Sequence, residues 1–142
     1  MRKIRWLVKG RGHENISALH PSTLEFTREE TLTPRGDCIL AVSCDKGLKD
    51  IPEKLRKILL EGGKIKITVC CGDERDEIIA EGSEKLVFSH PADMVVRRSA
   101  YVDERTLAIK ANKAACDVKR SLVKKLKNPF AEVKIIIEGP VV

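Results

Sequence analysis

Between Gly12 and Leu48 the chain gathers two of its three histidines, a carboxylate set in an apolar run, and several hydroxyls. Imidazole titrates close to neutral pH and so exchanges protons readily there. His13 is therefore the candidate general acid or base, with Glu25 as the carboxylate that orients it or acts beside it. Asn15, Ser17, Thr23 and Thr27 offer donors and acceptors to a bound molecule. Asp37 and the pair Asp45-Lys46 stand at the two ends of the next apolar segment, where a lysine beside an aspartate suits a phosphate or carboxylate group. His20 joins this ligand-binding set, although its parity along the chain places it with the apolar residues and favours a hydrogen-bonded corner histidine.

For these side chains to meet, two extended segments must carry them. Alternate residues of a strand point to opposite faces. A strand over 14–20 sets His13, Asn15 and Ser17 against Ile16 and Ala18, and one over 23–29 sets Thr23, Glu25 and Thr27 against Leu24 and Phe26. Pairing of the two across His20-Pro21 assembles six polar residues into one wall. The plainer alternative is a solvated sheet face, which ordinarily carries Lys, Glu and Arg rather than imidazole and carboxamide.

The 142 residues are 42% hydrophobic, enough for a packed core in one domain over 1–142. No apolar run approaches the roughly 18 residues that span a bilayer, and the Met-Arg-Lys-Ile-Arg-Trp start lacks a signal peptide's apolar centre, so the expectation is a cytoplasmic protein without membrane contact. The cysteines at 38, 44, 70, 71 and 116 are odd in number and lack metal-ligand spacing. They are expected as reduced core residues, Cys70 or Cys71 excepted, and no metal site is expected. There is no phosphate-binding glycine loop, nucleophile elbow or zinc-protease helix, so no cofactor is specified and catalysis is left open.

The net charge of +6 is concentrated over 97–127, where ten Lys and Arg face three acidic residues. Such a patch steers phosphate-bearing partners. Arg97, Arg98, Lys119, Arg120, Lys124, Lys125 and Lys127 are the candidate nucleic-acid contacts. Against this stand the ordinary use of Lys and Arg on helix surfaces and a total of only five aromatic residues to stack on bases.

Self-similarity organises the whole chain. His20 to Arg28 lines up with His90 to Arg98, Leu40 to Lys46 with Leu107 to Lys113, and Ile65 to Val69 with Val133 to Ile137. The pattern predicts an internal duplication, with pseudo-repeats over 12–72 and 82–139. Copy one reads as strands 14–20, 23–29, 38–44 and 64–71, with a helix over 51–61 started by Asp50 and Pro52 and stopped by Gly62-Gly63. Copy two reads as strands 77–80, 85–89, 94–98, 105–111 and 133–138 with a helix over 113–127. The expected class is α+β, a pseudo-twofold barrel-like or mixed-sheet core with two helices. Lys85, Val87, Val95 and Arg97 replace Asn15, Ser17, Glu25 and Thr27 in copy two, so a function that needs the wall resides in copy one.

The segments Gly12 to His20, Thr23 to Thr27, Leu32 to Cys38, Arg105 to Ile109 and Lys113 to Ala115 resemble an archaeal family of small proteins catalogued as a domain of unknown function. The resemblance covers nearly the whole chain. It implies an archaeal, cytoplasmic, single-domain protein and brings no activity with it. Two readings follow from the residues: a small-molecule-binding protein or enzyme using the copy-one wall, or a nucleic-acid-binding module using the basic stretch.

Overall fold

The computed structural model describes residues 3–142. The chain runs β1 (Ile4–Arg11), β2 (Thr23–Thr27), β3 (Ile39–Ala41), α1 (Glu53–Leu60), β4 (Lys64–Cys71), β5 (Glu74–Glu81), β6 (Asp93–Arg97), β7 (Thr106–Ala108), α2 (Arg120–Leu126) and β8 (Glu132–Gly139). A 3-10 turn precedes each helix, at Leu48–Asp50 and Ala115–Asp117. The class is α+β. One sheet has the order β1-β8-β4-β5, wholly antiparallel; the other has β3-β2-β6-β7, with an antiparallel centre and a parallel strand at each edge.

Each sheet presents an apolar face to a shared core. Trp6 and Val8 of β1, Ile65, Ile67 and Val69 of β4 and Val133, Ile135 and Ile137 of β8 meet Leu24 and Phe26 of β2 and Met94 and Val96 of β6 there. Leu55, Leu59, Leu122 and Leu126 bring the helices onto the same core, all with no exposed surface. No closed barrel forms among the described residues. The two sheets are joined instead by single bridges, Arg11 to Val42 and Glu81 to Ile109.

The two halves of the chain run through the same order of elements, and each sheet order reads the same when β1–β4 are exchanged for β5–β8. Local peculiarities recur at matching places. The non-glycine residues with positive φ are Ala18 and Phe88, then Ser43 and Lys110, all at φ of 51 or 52°. Gly12 and Gly82 touch the helix ends so closely that a Cβ on either would collide with backbone, that of Leu126 and Asn128 or that of Leu59.

Several element boundaries differ from the sequence reading. Residues 14–20 and 85–89 are loops, because Ala18 and Phe88 turn left-handed and end any extended run. The strand that opens the chain, β1, lies earlier, with Trp6, Val8 and Gly10 inward and Arg5, Leu7, Lys9 and Arg11 outward. The helix expected over 113–127 is two pieces. Asp117 caps the N–H of Ala114 at 2.9 Å to close a 3-10 turn, Val118 is extended, and α2 starts only at Arg120. Asp50 does the same at Gly47, 2.8 Å away, ahead of α1. The stop at Gly62-Gly63 is a Schellman ending: Gly62 (φ +80°) and Gly63 donate to Leu59 and Ile58 at 3.0 and 2.8 Å.

Candidate functional site

The polar residues of β2 are held at the centre of the second sheet, where β2 and β6 pair with Glu25 opposite Val95. Glu25 is nearly inaccessible, 4% exposed, and its carboxylate accepts a bond from Arg105 at 2.7 Å. Arg105 also donates to Asp93 at 3.0 Å, and the Thr27 hydroxyl donates to Asp93 at 2.8 Å. The Cys38 thiol points at Glu25 from 3.8 Å. Burial, with Asp93 adding its charge, pushes the Glu25 carboxyl up to about 7, because a half-exposed guanidinium shared between two acids does not offset the loss of water. Burial first and Glu25 second push the Cys38 thiol up to about 12. Among the described residues this network makes its polar contacts within itself.

The other members of the expected wall lie apart from it. His13 and Asn15 belong to the 12–22 loop, where the His13 Nδ1 accepts the Asn15 N–H at 3.0 Å and the Asn15 carboxamide donates to the Leu32 carbonyl at 2.7 Å. Ser17 holds a buried hydroxyl with no hydrogen-bond partner among the described residues. The His20 Nδ1 accepts the N–H groups of Ser22 and Thr23 at 3.2 and 3.1 Å, with the Thr23 hydroxyl also at 3.1 Å. His90 treats Ala92 and Asp93 in the same way. Each histidine thus uses Nδ1 as a turn acceptor, which leaves the proton on Nε2. The Asp37 carbonyl receives the N–H groups of Leu19 and His20.

Asp45 and Lys46 serve the edge of the first sheet. The Asp45 carboxylate accepts the Lys9 N–H at 2.9 Å and Lys46 donates to the Leu7 carbonyl at 2.7 Å, both on β1. On the opposite edge Asn112 accepts the Ile79 N–H at 2.9 Å and Lys113 binds Asp76 at 2.6 Å.

Most of the basic stretch is occupied within the fold. Arg97 binds Asp103 at 3.0 Å, Arg98 binds Asp117 at 3.5 Å, and Lys119 reaches Glu74 at 3.9 Å. Burial works against the Asp103 charge, but bonds from the Arg105 N–H, Thr106 and Arg97 hold its carboxyl below the usual range. Arg120 and Lys127 clasp the 12–22 loop through the carbonyls of Ala18 and Ile16, each at 2.9 Å. Lys125 pairs with the exposed Asp73 at 3.4 Å, a surface contact worth little. Among the described residues of the stretch, only Lys124 has neither an acid nor a carbonyl partner.

Lys124 helps line a groove of about 550 Å³ between α2 and the β4–β5 turn, together with Cys71, Gly72, Glu74, Ser121, Lys125, Asn128 and Ala131, the Glu74 carboxylate accepting the Ser121 hydroxyl at 3.0 Å. Its floor is apolar and small-sided, and its rim carries the two lysines and the Asn128 carboxamide. This is the pattern of a site that seats a ligand body and fixes it by a few polar contacts. Sequence reasoning included Lys124 and Lys125 but missed Gly72, Ser121 and Asn128, since nothing in spacing alone brings the β4–β5 turn against α2. No group of three or more metal-ligating side chains occurs among the described residues, and no helix in them is long and apolar enough to cross a membrane.

Comparison with known proteins adds kinship. Residues 8–139 match the model of a family described as "Domain of unknown function (DUF371)". The chain is similar to the uncharacterized protein MJ0206 of Methanocaldococcus jannaschii, with 44% identity over 124 residues, 87% of this chain and 92% of the relative.

Proposed function

The chain belongs to the DUF371 family, a domain of unknown function, and from its own geometry we propose that it binds a phosphate-bearing ligand in the groove between α2 and the β4–β5 turn. The observation that carries the reading is Lys124, a cation with no acid or carbonyl partner among the described residues that lines a groove of about 550 Å³. A long, strongly hydrated side chain gains from an anion there, while Lys125 exchanges its weak contact with exposed Asp73 for the same ligand. Gly72 (φ +60°) leaves the turn backbone open to close approach, and Asn128 adds a neutral donor.

This reading keeps the small-molecule class reached from the sequence and sets it on the basic groove rather than on the β2 polar residues, which are engaged with Arg105 and Asp93. Calorimetric titration with pyrophosphate tests it. Saturable binding that weakens with salt is the expected result, and Lys124→Glu should lower it at least about tenfold, the loss of one charge-assisted contact. Equal binding by wild type and Lys124→Glu would overturn the reading.

A further inference from the structure

The groove does not end at Lys124. A second recess of about 550 Å³, lined by Cys70, Gly72, Ala131, Glu132 and Lys134, shares Gly72 and Ala131 with the first. The two form a path from α2 around the β4–β5 turn onto the outer face of the first sheet. The sheet continues the charge. In register, Lys9 stands opposite Lys134, Lys134 opposite Cys70 and Cys70 opposite Arg75, so three cations lie in one row across four strands. None of the three has a carboxylate partner among the described residues. Successive strands are about 4.8 Å apart, so the row covers roughly 14 Å, far more than one phosphate needs.

An exposed aromatic is next to this path in the chain. Phe130 lies between the lining residues Asn128 and Ala131 and is 87% exposed. Its turn is rigid: the Asn128 carbonyl accepts the Ala131 N–H at 3.1 Å, the Asn128 side chain accepts the Phe130 N–H at 2.9 Å, and Pro129 fixes φ between them. Arg11 donates to the Phe130 carbonyl at 3.4 Å and adds another cation. The matching turn after α1, Glu61-Gly62-Gly63, has no aromatic, so this corner is particular to the second half of the chain. A basic track with an aromatic held clear of the core is what a single nucleic-acid strand uses, phosphates on the cations and a base stacked on the ring.

We infer that the ligand of this groove is a single-stranded nucleic acid, with Phe130 as its stacking platform and Lys124, Lys125 and Lys134 as its phosphate contacts. The inference rests on the phosphate-binding reading above and specifies its ligand. Glu74 and Glu132 border the path and limit how closely the backbone approaches there. Fluorescence anisotropy of the full chain tests it, with a labelled oligoadenylate of about eight nucleotides and an abasic strand of equal length as the probe without bases.

Wild type should bind the oligoadenylate about tenfold more tightly than the abasic strand, the size of one stacked base. Phe130→Ala should abolish that difference, and Phe130→Trp should restore it. Because the side chain is exposed, an unchanged melting temperature separates lost stacking from lost folding. Equal affinity for both strands in wild type, with Phe130→Ala silent, overturns the nucleic-acid inference while pyrophosphate binding at Lys124 still stands. Loss of pyrophosphate binding as well removes both.

Discussion

Raising the pH from about 5 to about 8 is expected to remove a stabilising contribution of Glu25 to the fold. The folded carboxyl titrates near 7 against an ordinary value of 4.5, so between those values the native state holds a proton that the unfolded chain has released. Its contribution is fully present below 4.5 and falls away as the pH rises toward 7. At about 1.4 kcal/mol per unit, this displacement corresponds to about 3 kcal/mol. For a domain of this size that is a fall in melting temperature on the order of 10 °C. Thermal denaturation followed by circular dichroism at fixed ionic strength measures it. Glu25→Gln keeps the shape and a hydrogen-bonding group but carries no titrating proton, so its melting temperature should fall less than that of wild type across the same range. The carboxyls of Asp76 and Asp103 are shifted downward, so their effects fall at acid pH, outside the scan. A Glu25→Gln variant as steep as wild type from about pH 5 to 8 would refute the reasoning.

Leu55→Ala and Leu122→Ala, at matching buried positions of α1 and α2, should each cost about 2 to 5 kcal/mol in denaturant titrations. Gly12→Ala and Gly82→Ala should each raise the population of unfolded chain sharply, because the added methyl meets helix-end backbone that has no room to retreat; urea midpoints read this directly. With a thiol reagent, exposed Cys116 should react first and half-buried Cys38 and Cys70 later. Cys44, whose thiol burial pushes up to about 12, should wait for unfolding, and a fast second equivalent from it would contradict its burial.

Legibility from the sequence varied with how local the signal was. The class and the Gly62-Gly63 stop are written in a few adjacent residues, and both are seen in the fold, whereas Asp50 closes a 3-10 turn ahead of α1 and the second helix starts at Arg120 rather than at 113. The opening strand was equally legible, since Ile4, Trp6, Val8 and Gly10 alternate with Arg5, Leu7, Lys9 and Arg11. It was passed over because Ile16 and Ala18 further on imitate the same period. In the loop that period is accidental: both side chains are buried, but the backbone turns left-handed at Ala18. Arg105 was read only as part of a repeated strand, and its reach to Glu25 across 80 residues depends on β2 and β6 lying side by side. The groove depends likewise on a hairpin turn meeting a helix distant in sequence. Single-residue properties do mark its main cation, since Lys124 falls in the stretch that composition had already singled out.

The caps on the margins of the first sheet bear on how copies of the chain behave when crowded. A strand from a neighbouring molecule approaching β1 finds the Lys9 N–H taken by Asp45 and the Leu7 carbonyl taken by Lys46; one approaching β5 finds Ile79 taken by Asn112. Unpaired ladder positions are where sheets grow into fibrils. Here three side chains from the segments after β3 and β7, Asp45, Lys46 and Asn112, keep those positions closed while adding little to the core. Asp45→Ala together with Asn112→Ala should leave the chain folded yet let light scattering rise on prolonged incubation at high concentration.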